Sequence, residues 1–252
     1  MLDHAVDLLT VHKTNNILIE YTTNCNLRCS YCAVSQLYWD GKDLEAADMV
    51  TQAAIARQPK VAVIHGHGET TTIKGWEKYA EAFHDAGIAV NICSNLSKTY
   101  SDREIEEFSK LQHLTVSIDT IDPELFQKLR RGGSLEQVLS NLNKIQEAIR
   151  SRGKEIDISW SIVCTDKNVW GLLDLVKHGI ELGITAFTFC NLGTMPTPKG
   201  GLETNHVSEF SADDCRKVID MFLHIEIVCV RSNTIFDMKD GLIDTLRAKA
   251  DG

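Results

Sequence analysis

Apolar and polar positions along this chain fall into blocks that change period. Short runs rich in Ile, Val and Phe predict strands over residues 16–21, 61–66, 88–93, 113–119, 156–164 and 185–190. Between them the apolar residues return at every third or fourth position, the period of a helix with one buried face. Leu44, Ala47, Val50, Ala54 and Ile55 set that pattern over 43–57, and it recurs over 74–86, 101–111, 134–150 and 170–182. Gly87 and Gly183 follow two of these helices as stop signals. Asp122-Pro123 opens a short helix, because the first helical position tolerates proline. Ser134 and Gln137 have the spacing of a capping box. Further on, 191–201 reads as a Gly/Pro-rich loop, 212–223 as a helix, 224–230 as a seventh strand and 235–250 as a final helix.

Strands alternating with helices predict an α/β fold with a parallel sheet. Six regular units suit a partial (β/α)6 barrel with a wide mouth. A doubly wound sheet has the same one-dimensional pattern, and periodicity does not separate the two. In both, the active site belongs at the C-terminal ends of the strands. The chain shows no internal repeat, low-complexity tract or obvious linker.

Composition narrows the classes. With 43% apolar and 24% charged residues over 252 positions, the chain has material for a hydrophobic core and lacks the signature of disorder. A formal charge of -9 and the lack of a Lys/Arg stripe disfavour a nucleic-acid partner. Residues 1–13 carry an acid near their start and no long apolar run, unlike a signal peptide. No stretch approaches the roughly 18 apolar residues of a membrane span. A cytoplasmic protein with reduced thiols and no membrane partner is expected.

Of eight cysteines, Cys25, Cys29 and Cys32 stand together after the first strand, in TTNCNLRCSYCAV. Their spacing is C-x3-C-x2-C. Thiolates are the usual protein ligands of iron–sulfur clusters, and three of them on a four-iron cube leave one iron open to a small molecule. Structural zinc normally takes four ligands, and only the distant His12 offers itself as a fourth. A C-x-x-C redox pair leaves Cys25 without a role. An iron–sulfur electron carrier keeps the triad and is the alternative to an enzyme.

These cysteines, with Tyr31 before the third, resemble the signature of the radical S-adenosylmethionine (radical SAM) superfamily. The likeness is to its branch of molybdenum-cofactor and peptide-modifying enzymes. It implies a partial (β/α)6 TIM-like barrel over 1–232, with an N-terminal extension, and a helical tail over 233–252. It implies one [4Fe–4S] cluster on Cys25, Cys29 and Cys32, with S-adenosylmethionine (AdoMet) chelated at the open iron. AdoMet is cleaved reductively to a 5′-deoxyadenosyl radical, which takes hydrogen from a small polar metabolite or a peptide. Epimerisation, dehydrogenation, rearrangement or C–C bond formation then follows. A reductant such as flavodoxin or ferredoxin is implied as partner, and a homo-oligomer is compatible.

The resemblance also nominates site residues. Tyr31 is expected to line the adenine pocket. In HGHGET, Gly68 and Glu69 match the second half of a Gly-Gly-Glu-Pro-like motif that binds the AdoMet amino group. His67 replaces its first glycine and is a candidate substrate contact, with His65 beside it. Ser117 and Asp119 on the fourth strand, and Ser159 and Ser161 on the fifth, are expected to face the mouth and hold AdoMet. Leu192 and Met195 are candidates to pack on the adenine. The R-G-x-G-S-F-like run at Arg131–Ser134 is expected to form a turn and cap, with Arg130 or Arg131 a candidate anion contact. Asn168 is expected to be structural. Cys93, Cys164 and Cys190 lie near strand ends as candidate hydrogen-atom donors. The C-terminal auxiliary-cluster domain of many relatives in this branch has no counterpart here.

Overall fold

The structure, a computed structural model, describes residues 15–32, 41–192 and 207–251. Seven parallel strands form one sheet: β1 (Asn16–Ile19), β2 (Val61–Ile64), β3 (Ala89–Ser94), β4 (His113–Ser117), β5 (Asp157–Cys164), β6 (Ala186–Asn191) and β7 (Ile235–Met238). The helices are α1 (Ala47–Ala56), α2 (Glu77–Asp85), α3 (Asp102–Phe108), α4 (Pro123–Leu129), α5 (Leu135–Ser151), α6 (Leu172–Glu181), α7 (Ala212–Arg231) and α8 (Leu242–Ala250).

Strand order decides between the two architectures. It runs β1-β2-β3-β4-β5-β6-β7 without reversal, whereas a doubly wound sheet reverses at a switch point. The sheet therefore winds one way, as a barrel does, and among the described residues it ends at β1 and β7 instead of joining them.

The two faces of the sheet differ in chemistry because successive side chains point to opposite sides. Ile64, Ile92, Val116, Ile162 and Phe189 point outward and are buried under the helices. The inward face is mixed, apolar at Leu18 and Val63 on the first two strands and largely polar across β3 to β6. Cys93, Thr115 and Ser159 stand at one level across β3, β4 and β5, and Ser117, Ser161 and Thr188 at the next across β4, β5 and β6.

Local signals explain the helix starts. Ser101 and Glu104 form a reciprocal capping box on α3. The Asp122 carboxylate accepts from the Glu124 and Leu125 amides, with Pro123 in the first turn of α4. Ser134 accepts from the Gln137 amide, but Gln137 turns its own side chain to Asn141, so only half of the expected box forms on α5.

Two expected elements are corrected. Residues 224–230 are not a strand but continue α7, because Cys215, Val218, Phe222, Ile225 and Cys229 keep one helical face buried throughout. The seventh strand comes later, at Ile235–Met238, where the helical tail was expected to begin, and it extends the sheet beside β6.

Gly179 on α6 marks the tightest helix–sheet approach. A Cβ there would stand 2.6 Å from a ring carbon of Phe187 and 2.9 Å from one of Trp160. Alanine gains roughly 1 kcal/mol of helix propensity but overpacks two buried rings, at a cost of about 1–3 kcal/mol. A net loss of about 1 kcal/mol is expected for Gly179→Ala in urea unfolding, and unchanged or raised stability would show that the rings yield.

Candidate active site

The loop after β1 carries the cysteine triad and is pinned from three sides. On one, Thr22 Oγ1 donates to Asp43 Oδ1 at 2.6 Å, and a short antiparallel bridge joins the two residues. On the second, the Arg28 and Ser30 amides donate to the carbonyls of Arg131 and Leu129, each at 2.8 Å. On the third, Asn26 Nδ2 donates to the Ser97 carbonyl at 2.9 Å, and Asn95 Nδ2 donates to Asn26 Oδ1 at 2.9 Å. The Leu27 amide points at Cys25 Sγ, 3.4 Å away. Tyr21, at the root of the loop, stacks on Tyr79 with ring centroids 4.4 Å apart.

Cys25, Cys29 and Cys32 share one cavity with residues 65–69, Cys93, Ser117, Ser161 and Arg130. Burial pushes the free Cys25 thiol up, and the Cys29 thiol up to about 11. Among the described residues, no three His, Cys, Asp or Glu side chains converge at the distance of a single ion. Three thiols that border one cavity without converging fit a multi-iron cluster better than a mononuclear metal.

The turn after β2 packs directly on this loop. The Glu69 amide donates to the Asn24 carbonyl at 2.7 Å. A Cβ on Gly68 would stand 2.4 Å from the Thr22 carbonyl oxygen and 2.5 Å from that of Asn24. Both obstacles are backbone, so only glycine fits. Gly68→Ala is expected to displace the cysteine loop and lower the iron bound per chain, with helix content by circular dichroism unchanged. Full iron loading would refute the close approach. His67 lies outside the positive-φ residues, so replacing the motif's first glycine demands no special backbone. Its amide donates to Glu20 Oε1, and its ring Nδ1 lies 3.2 Å from the same oxygen.

Glu69 is buried, and its carboxylate joins the ends of β2 and β3. It accepts from Thr71 Oγ1 at 2.8 Å, Ser94 Oγ at 3.0 Å and the Asn95 amide at 2.7 Å. Burial raises its pKa, against these hydrogen bonds. Asp119 is equally engaged. It pairs with Arg130, with Nε 2.8 Å from Oδ2 and Nη2 3.0 Å from Oδ1. It also accepts from the Tyr31 hydroxyl at 2.5 Å and the Val163 amide at 3.0 Å. Tyr31 thus stands in the cavity wall with its hydroxyl tied down. Asn168 braces the same corner, donating to the Asp119 and Val163 carbonyls.

The other nominated residues divide by level and by face. Ser117 and Ser161 border the cavity. Ser159 lies one level deeper, 2.7 Å from His113 Nε2 and 3.1 Å from Thr115 Oγ1. Cys93 Sγ lies 3.7 Å from Ser117 Oγ, and Cys190 Sγ lies 3.9 Å from Ser161 Oγ. Cys164 is fully buried on the opposite face, within the hydrophobic core. Leu192 is buried at the end of the β6 segment. Met195 and His12 lie outside the described residues. Sequence reasoning missed Glu20 and Asn95, and it named Arg130 or Arg131 as a candidate anion contact without the pairing of Arg130 with Asp119. Only a fold that sets strand ends side by side reveals these.

A one-way parallel sheet with a three-thiol loop at the C-terminal end of its first strand defines a cluster-binding partial barrel. The pattern of the radical SAM superfamily matches residues 19–158, over half of the chain, and the chain belongs to that superfamily. Its sequence is similar to a GTP 3′,8-cyclase of Rhodopseudomonas palustris, 25% identical over 187 residues, covering 69% of this chain and 52% of that one. It is also similar to the sporulation killing factor maturation protein SkfB of Bacillus subtilis, 27% identical over 175 residues, covering 68% of this chain and 40% of that one. The chain thus spans about half the length of the curated relatives it matches. Its fold is similar to that of Streptococcus suis SuiB bound to S-adenosylmethionine, with a TM-score of 0.71 at 18% identity, covering 95% of this chain and 54% of that one. SuiB bound to its precursor peptide SuiA gives the same TM-score. Radical SAM proteins use a [4Fe–4S] cluster and AdoMet. Among the described residues no helix is long and apolar enough to cross a membrane.

Proposed function

We propose that this chain cleaves AdoMet reductively to a 5′-deoxyadenosyl radical that takes a hydrogen atom from a small polar metabolite or a peptide. The observation carrying this reading is that three loop thiols share one cavity with the polar inward face of the strands. The bound cluster supplies an electron and AdoMet supplies the radical. Cys25, Cys29 and Cys32 hold the cluster. The glycine at 68 lets backbone approach the AdoMet amino group, and Tyr31 walls the adenine side. Ser117 and Ser161 present hydroxyls to AdoMet or substrate, with Ser159 supporting them from below, and Leu192 packs beside the base. Glu69 and Asp119 position this wall through the bonds described above. His67 meets the substrate at the mouth. An iron–sulfur electron carrier has no use for a polar lumen opening beside its cluster.

The SuiB complex with a precursor peptide favours a peptide among the two substrate classes. Flavodoxin or ferredoxin is the proposed reductant, in the cytoplasm, and homo-oligomerisation remains part of the proposal. The test is anaerobic formation of 5′-deoxyadenosine and methionine by cluster-reconstituted chain given AdoMet and dithionite. Formation supports the reading. A fully iron-loaded chain that binds AdoMet and leaves it intact, with and without peptide and metabolite mixtures, overturns it.

A further inference from the structure

Cys93 is placed differently from the other cysteines outside the triad. It lies on the inward face of β3, in the cavity wall that also carries Cys25, Cys29 and Cys32. Its Sγ lies 3.7 Å from Ser117 Oγ. Cys164 faces the hydrophobic core, and Cys215 and Cys229 are buried on α7. Cys190 faces the lumen beside Ser161 but does not border the cavity. Thr115 and Ser159 occupy the lumen at the level of Cys93, linked to each other, and Ser159 is tied to His113 one level beneath. The room beside the thiol is therefore the cavity itself. Burial pushes the Cys93 thiol up to about 11, so at neutral pH it keeps its S–H bond.

We propose that Cys93 donates a hydrogen atom to a carbon radical formed in this cavity, an inference that rests on the function proposed above. The S–H bond breaks homolytically, a C–H bond forms at the radical carbon, and a Cys93 thiyl radical remains. One electron from the external reductant and one proton from water restore the thiol. An S–H bond is weaker than an ordinary aliphatic C–H bond, so transfer to the 5′-deoxyadenosyl radical runs downhill, and transfer to a stabilised α-carbon radical is close to balanced. The substrate carbon regains a hydrogen at its original oxidation level. That favours epimerisation over dehydrogenation among the possible outcomes, because dehydrogenation needs the radical carbon to lose a further electron and proton, and the returned hydrogen forecloses that loss.

The test uses AdoMet as the only probe. Cluster-reconstituted chain is incubated anaerobically with AdoMet and dithionite in D2O, where the thiol becomes S–D, and the 5′-deoxyadenosine is examined by mass spectrometry. Without substrate the 5′-deoxyadenosyl radical itself is the acceptor. Singly deuterated product is expected from the unaltered chain and from Cys190→Ser, with the label falling to natural abundance in Cys93→Ser and Cys93→Ala. Unchanged label in both Cys93 variants overturns the assignment and leaves AdoMet cleavage standing. No 5′-deoxyadenosine from an iron-loaded chain removes the underlying reading instead. A second readout needs no cluster. In cluster-free protein a small methanethiosulfonate reagent is expected to modify Cys93 and spare Cys164, and the reverse pattern also overturns the assignment.

Discussion

Cys29→Ala is expected to give a folded chain that binds little iron and forms 5′-deoxyadenosine at the background rate. The backbone around Cys29 is held without its thiol. The Arg28 and Ser30 amides donate to carbonyls of the segment that ends α4, and Cys29 itself accepts from the Cys32 amide through its carbonyl. Trimming a buried sulfur to a methyl costs folding only about 1 kcal/mol, so lost activity reports the ligand and not the fold. Iron and sulfide analysis together with the visible absorption of the cluster checks the first half, and chromatography of the nucleoside checks the second. Full iron content in the variant would reassign the ligand. Retained cleavage with little iron would reject cluster-driven chemistry altogether.

Asp119→Ala is expected to lower the unfolding free energy by about 3–5 kcal/mol, the usual cost of leaving a buried charge without its partner. The side chain of Asp119 is 1% exposed and that of Arg130 is 7% exposed, so the pair is largely withdrawn from water although Arg130 borders the cavity. The Tyr31 hydroxyl and the Val163 amide lose an acceptor as well. Natural domains are stable by about 5–15 kcal/mol, so the variant approaches the limit of folding. Adding Arg130→Met to Asp119→Ala is expected to restore part of the loss, because the orphaned guanidinium goes with it. Urea unfolding of the single and double variants measures both. A double variant no more stable than the single would mean that the hydroxyl and amide contacts, and not the ion pair, hold this corner.

Much of the fold was legible because each strand is short, apolar and bounded by turn residues. The cysteine loop was legible because its three cysteines lie within eight residues of one another. The misreading of 224–230 has a local cause. In His-Ile-Glu-Ile-Val-Cys-Val a brief polar–apolar alternation runs into four apolar, mostly β-branched residues, which reads locally as a strand. The longer rhythm from Cys215 to Cys229 is helical, and packing on the sheet follows that rhythm. Asp119 was expected to reach the cofactor because its position at a strand end is visible in sequence. Its bonds to Tyr31, 88 positions earlier, and to Arg130 on the far side of a helix are not. Similarly, the sequence showed that Ser159 and Ser161 share a face, but not that His113 would engage the deeper one.

Among the described residues the sheet stops at β1 and β7 without joining them. In a closed barrel, side chains fill the lumen and a guest meets only the loops around the C-terminal mouth. In an arc the sheet itself leaves one side uncovered. A long molecule laid along that side brings an interior segment beside the three thiols while both of its ends stay in solvent. Position along such a molecule is then chosen by what the walls hold on either side of the reacting atom, with no need for a free end.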